Sequence, residues 1–228
     1  MDRASASSET PGPAAQAVVA KRGRGRPRKT LDERDDGNRR VELVRAAGSL
    51  FRRKGFAATS TRDIAAAVGM RSGSPFYHFK SKGALLFEVM RQGMEEACRK
   101  QAEALQKTEE TTPDSRALLA VLIHNHFAIL LSRGSDFIPV MLYEWRSLSA
   151  AQRKQIALIK DQYEAVWVPV LEGLHRSGQL RCEPKLARLL IFGALNWSAQ
   201  WFDARRGASL ADLAAAATDL FVAKGKAQ

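Results

Sequence analysis

Apolar residues recur along this chain at helical intervals, and no stretch alternates in the manner of a strand. From about Gly37 to Lys54, the positions Leu43, Val44, Ala47, Leu50 and Phe51 make one buried stripe, and Gly55 closes the segment. Ser60 followed by Asp63 reads as a capping box, which starts a short helix whose inner face is Ile64, Ala65 and Val68. Gly69 ends it, because glycine accepts the left-handed backbone that other residues resist. A second short helix is predicted to start at Arg71 or Ser72, with Pro75 early enough to cost no intrahelical hydrogen bond. A long helix follows from Ser81 to about Gln106 on Leu85, Leu86, Val89, Met90, Met94 and Ala97. Thr112 and Pro113 read as the start of a helix through Leu131, and a shorter one is expected from about Phe137 to Arg146. Ser149 to His175 reads as a single amphipathic helix bent at Pro169 and stopped near Gly178. The last two helices are placed at Pro184 to Phe202 and, after a second capping box at Ser209 and Asp212, on Leu213, Ala216, Ala217, Leu220 and Phe221. The predicted class is therefore all-α, divided into an N-terminal arm (1–36), a helix-turn-helix unit (37–82) and a larger helical region (83–228).

The two short helices around Gly69 have the dimensions of a helix-turn-helix. In such a motif the N-terminal end of the second helix faces base edges in the major groove, and here Arg71, Ser72, Ser74, Tyr77 and His78 supply donors, leaving Phe76 and Phe79 as anchors. Short amphipathic pairs with a central glycine are common, so the flanking residues carry the decision. They resemble the N-terminal domain of the tetracycline-repressor-like (TetR) transcriptional regulators from about Val41 through LVRAAGSLFRRKGFAATSTRDIAAAVGM and SGSPFYHFKSKGALL to Leu86, including the G-F-x-x-T-S-x-R-D-I-A core and the F-K-S-K-x-x-L-L ending. The resemblance implies that Ser60, Thr61 and Arg62 hold phosphates, that Arg71, Ser72, Ser74, Tyr77 and His78 face double-stranded operator DNA, and that Lys82 clamps the DNA backbone. Arg71 stands where the family usually has a small serine, and Phe76 where it often has a phosphate-contacting tyrosine.

A formal charge of +12 argues for an anionic partner. Part of it is concentrated in Lys21 to Lys29, KRGRGRPRK, six positive charges in nine residues. The preceding Ala-, Ser- and Pro-rich segment reads as a disordered tail. Arg24, Arg26 and Arg28, spaced by Gly25 and Pro27, resemble an AT-hook, in which an extended segment lies in the narrow minor groove; a basic arm that meets phosphates alone fits the same residues. Cys98 and Cys182 are far apart with no metal-ligand spacing, so neither a disulfide framework nor a metal site is expected. No cofactor is called for. The longest uncharged apolar run, Leu189 to Phe202, is shorter than the roughly 18 residues of a membrane span. A bacterial cytoplasmic, nucleoid-associated protein without membrane contact is expected.

Pro184 to Phe202 carries two stripes. One is Leu186, Leu189, Leu190, Gly193, Ala194, Trp197 and Trp201; the other is Ile191, Phe192, Leu195, Ala199 and Phe202. A helix apolar on both sides needs two partners. The family resemblance implies a homodimer formed by the last two helices, with Leu189, Gly193, Trp197, Trp201, Leu213, Ala217 and Leu220 at the interface; a purely intradomain core is the other reading. Met90, Met94, Phe127, Tyr143, Trp145, Tyr163 and Trp167, with His126, Glu144 and Arg146 as polar groups, are candidates to line an effector cavity, although such stripes also serve as packing and His126 also suits a hydrogen-bonded core. From Asp161 to Gly225 the chain looks like the C-terminal domain of a subset of the family that responds to acyl-CoA thioesters. No GxGxxG, GxxxxGK[ST] or GxSxG motif supports an enzyme. The expectation is a ligand-responsive repressor released from its operator by a small apolar or amphipathic effector, with a constitutive architectural DNA-binding protein as the alternative.

Overall fold

The structure, a computed structural model, describes residues 31–70, 75–109, 114–132 and 136–223. Ten α-helices are described: α1 (Leu31–Lys54), α2 (Thr61–Ala67), α3 (Pro75–His78), α4 (Lys82–Glu109), α5 (Ser115–Leu131), α6 (Phe137–Glu144), α7 (Ala150–Ala165), α8 (Trp167–Arg176), α9 (Pro184–Trp197) and α10 (Leu210–Phe221). Among the described residues there is no strand, and no helix is long and apolar enough to cross a membrane.

Local chemistry accounts for most of the boundaries. The Ser60 hydroxyl accepts the Asp63 N–H at 3.1 Å while the Asp63 carboxylate accepts the Ser60 N–H at 2.8 Å, so both halves of the first capping box are present. Ser149 with Gln152 and Ser209 with Asp212 repeat the device at α7 and α10. Gly69 turns the chain after α2 at φ 66°. Helix α1 begins six residues earlier than the apolar spacing predicts, at Leu31. The expected cap at Thr112 and Pro113 lies outside the described residues; α5 is capped instead by Asp114, whose carboxylate accepts the Ala117 N–H at 2.7 Å. The single bent helix expected over Ser149 to His175 is two helices. Pro169 lacks an N–H and its ring crowds the carbonyl of Ala165, and the α7–α8 break falls at that residue. Likewise α9 ends at Trp197 and continues to Gln200 only as a tighter 3-10 turn.

One continuous core runs through the molecule. Leu43, Ala47, Leu50 and Phe51 of α1 meet Ile64 of α2 and Leu85, Leu86 and Val89 of α4. The same α4 continues with Met90, Met94 and Ala97 against α5, α6 and α7. Helix α6 touches both α1 and α4, an approach made possible by Gly93, where a Cβ would stand 2.1 Å from the Phe137 ring. The end of α1 is tied to both ends of α6: Arg52 pairs with Asp136 at 3.0 Å, and the Phe56 N–H donates to Glu144 at 2.7 Å.

Candidate functional site

The N-terminal site rests on α2, α3 and the groups that hold them. Arg40 of α1 donates to the His78 carbonyl at 2.9 Å, covers the Phe79 ring at 4.3 Å and approaches Glu88 of α4 at 3.4 Å. Arg91 grips both Glu88 oxygens, and this pairing pushes the carboxyl down to about 2. The start of the long helix is thus bonded to the end of α3. Tyr77 is 80% exposed and Arg62 is also exposed, whereas His78 and Thr61 are half-buried. The Ser60 hydroxyl donates to Asp63 at 2.8 Å. Arg71, Ser72 and Ser74, and Arg24, Arg26 and Arg28 of the arm, lie outside the described residues.

Lys82 differs from the expected backbone clamp. Its ammonium donates to the carbonyls of Phe56 at 2.7 Å and Thr59 at 2.8 Å, reaches that of Ala57 at 3.5 Å, and sits 4.3 Å from the Phe56 ring centre. Two of its N–H directions are spent on the α1–α2 turn, so the ammonium serves first to hold that turn. Lys82→Ala is therefore expected to lower stability in urea denaturation by about 1.5–3 kcal/mol, the range for hydrogen bonds to a charged group. Unchanged stability with a uniform loss of affinity for all DNA sequences would restore the phosphate contact.

A small chamber lies in the C-terminal half, lined by residues of α4, α5, α6, α7 and α9 that include Met94, His126, Tyr163, Phe192 and Asn196. Its volume is about 40 Å³. His126 is held on both sides: Nε2 donates to Asn196 Oδ1 at 3.1 Å, which leaves Nδ1 to accept the Tyr163 hydroxyl at 3.0 Å. Burial pushes the imidazole down to about 4 and raises the Tyr163 phenol, so both are neutral at physiological pH. Trp167 packs 4.7 Å from Phe192 and donates its indole N–H to Gln101 at 2.9 Å.

The cavity residues expected from the sequence divide three ways. Met94, His126 and Tyr163 line the chamber, while Met90, Phe127 and Trp167 belong to the core around it. Tyr143, Trp145 and Arg146 do not line it: Tyr143 and Arg146 are exposed and Trp145 is half-buried, because α6 turns only Phe137, Ile138 and Met141 towards the chamber. Glu144, another expected polar lining group, holds the Phe56 N–H instead. Sequence reasoning missed Phe192 and Asn196 on the inner side of α9, and Lys160 and Glu164, whose i,i+4 spacing was the available signal. It also missed a larger open cleft of about 760 Å³ between α1, α4 and the α5–α6 junction, which shares Phe137 as a wall with the chamber.

The two stripes of α9 separate cleanly. Ile191, Phe192 and Leu195 are buried, but Leu189 is 58% and Trp197 65% exposed, with Leu186, Leu190, Gly193, Ala194 and Trp201 also uncovered. The reading in which both stripes are intradomain core does not hold for this chain. On α10, Leu220 is 79% exposed, whereas Leu213 and Ala217 are half-buried against the core beside Ala214 and Thr218, so these two face inward more than expected.

Residues 43–89 match the family of bacterial regulatory proteins, tetR family, and residues 110–224 match the tetracyclin repressor-like C-terminal domain. The HTH-type transcriptional repressor KstR2 of Rhodococcus jostii (strain RHA1) is 29% identical over 153 residues, 67% of this chain and 72% of that protein. Among solved structures, the superantigen PfiT is 33% identical with a TM-score of 0.68, over 81% of this chain and 96% of that one. AibR in complex with isovaleryl coenzyme A and operator DNA superposes with a TM-score of 0.72 at 20% identity, over 80% of this chain and 97% of that one. With both halves matched, the chain belongs to the tetR family of bacterial regulatory proteins.

Proposed function

We propose that this protein is a homodimeric repressor that binds a twofold operator through α2 and α3 and releases it when an acyl-CoA or similar amphipathic effector occupies the C-terminal chamber. The helices from α1 to α3 form the DNA-reading unit, those from α4 onward the effector and dimerisation region, and the arm that precedes α1 adds contacts through Arg24, Arg26 and Arg28. Arg71, Ser72, Ser74, Tyr77 and His78 meet base edges and phosphates of the operator. Leu189, Trp197, Trp201 and Leu220 form the dimer face. The effector class is supported by the isovaleryl coenzyme A complex of AibR.

The observation that carries the regulatory part is the size of the chamber. At about 40 Å³ it has room for a few waters, each needing on the order of 10–15 Å³ of cavity, and not for a long acyl chain. An acyl chain enters only if the helices part, and therefore binds an open form in preference to this closed one. Opening displaces Phe137, which fills the wall between chamber and cleft, packs on Gly93 of α4 and follows the Asp136 that holds Arg52 of α1. A shift there moves the DNA-reading unit. Two such units must span one DNA turn, roughly 34 Å, or a multiple of it, so a small change in their separation breaks a half-site contact.

Calorimetry with isovaleryl-CoA and with longer acyl-CoAs, each with and without operator, tests this reading. Saturating effector is expected to weaken operator binding about 5- to 150-fold, the range of typical allosteric coupling. Tight effector binding with unchanged operator affinity would sink the mechanism, and no binding would sink the effector class.

A further inference from the structure

A buried carboxylate stands between the chamber and the outside. Glu164, on α7 next to Tyr163, is 6% exposed. Its Oε1 is held by Lys160 Nζ at 2.6 Å, and its Oε2 is paired with Arg188 of α9. These two cations belong to different spaces. Lys160 lines the chamber, Arg188 lines an outer recess of about 410 Å³ between α7, α8 and α9, and Glu164 lines both. The carboxylate is thus the partition, gripped by one cation from each side. Stability alone gives little reason for it, because apolar residues of similar volume usually close such a gap at no loss.

We propose that Lys160, Glu164 and Arg188 form an anion-exchange latch at the mouth of the chamber, and that the ligand's anionic group, a carboxylate or phosphate, takes the place of the Glu164 carboxylate between the two cations. The proposal rests on the reading of the chamber as the effector site and adds which end of the effector is recognised, and where. Exchange keeps both cations paired, so an anionic ligand opens the latch at small electrostatic cost. The displaced Glu164 side chain moves into the recess towards Lys185, which lines it. A neutral ligand of equal length either leaves the latch shut or leaves two cations without a partner at a half-buried site. Lys185 offsets Asp161 and Glu172, which line the same recess and oppose the incoming Glu164 carboxylate. The apolar end then extends past His126 and Phe192 to Met94 and Phe137.

Calorimetry of the full chain with octanoate, octanol and octanoyl-CoA distinguishes the sources of the anion. Octanoate is expected to bind about tenfold more tightly than octanol, as one added charge-assisted hydrogen-bonded contact implies. Arg188→Gln should reduce that preference to within about twofold, and Lys160→Gln, at a more exposed side chain, should do the same if Arg188→Gln folds poorly in a circular-dichroism melt. Glu164→Gln frees both cations and should tighten octanoate about tenfold while octanol changes little. That gain is one a purely structural ion cluster would not produce. Equal binding of acid and alcohol, no binding of either, or an acid preference that survives both cation substitutions overturns the latch. Octanoyl-CoA binding together with equal acid and alcohol affinities would remove the latch and keep the acyl-CoA effector; acid preference without octanoyl-CoA binding would do the reverse.

Discussion

Leu189→Asp is expected to leave each chain folded, separate the dimer into monomers and cost about 100-fold or more in operator affinity. Leu189 is exposed on the outer stripe of α9, in line with Leu186, Gly193 and Trp197, so a carboxylate there meets water in the isolated chain. In a dimer the same carboxylate is buried against an apolar partner surface without a cation, which costs several kcal/mol. The loss on DNA follows from geometry, since two linked reading units profit from an effective concentration worth about 10²- to 10⁴-fold, and a monomer has only one. Sedimentation velocity and fluorescence anisotropy on a labelled operator give the two readouts. Leu195→Asp, on the buried stripe of the same helix, serves as the contrast and should unfold the C-terminal half. A Leu189→Asp protein that stays dimeric and binds operator normally would move the interface away from α9.

The second large effect is expected on stability. Trp167→Ala should cost about 3–5 kcal/mol in urea denaturation, the range for deleting a large buried aromatic side chain. Trp167 is fully buried, lies against Phe192 and His126, and satisfies Gln101, itself buried and donating to the Tyr163 carbonyl at 2.9 Å. The alanine removes the ring that braces α8 against α9 and leaves the Gln101 oxygen without its donor. Trp167→Phe retains most of the apolar volume and isolates that lost hydrogen bond, so it should cost clearly less. Loss of under about 1 kcal/mol in the alanine variant would mean that the aromatic group collapses freely around the gap and does not hold the chamber closed.

Much of the DNA-reading unit was legible in the sequence because it is written in short-range chemistry. The Ser60–Asp63 box, the stop at Gly69 and the apolar spacing of α1 and α4 each depend on residues within one or two helical turns, as do the second box at Ser209 and Asp212 and the two-sided pattern of α9. Propensity, capping and periodicity therefore determined an all-α chain with a helix-turn-helix near its start and a helix in want of a second partner. What only the tertiary structure decided involves groups that are distant in sequence. Lys82 turns to carbonyls as far as 26 residues back, Phe56 donates to Glu144 across 88 residues, and His126 reaches Asn196 across 70. The Glu164–Arg188 pair joins two helices that have no local signal in common. No periodicity states which side of α6 meets the chamber, and so Tyr143 and Arg146 read as lining residues while they stand in solvent. A side chain's place on its own helix follows from spacing along the chain, but what it touches depends on how neighbouring helices are rotated and set against it, and that is settled only when the whole core packs at once.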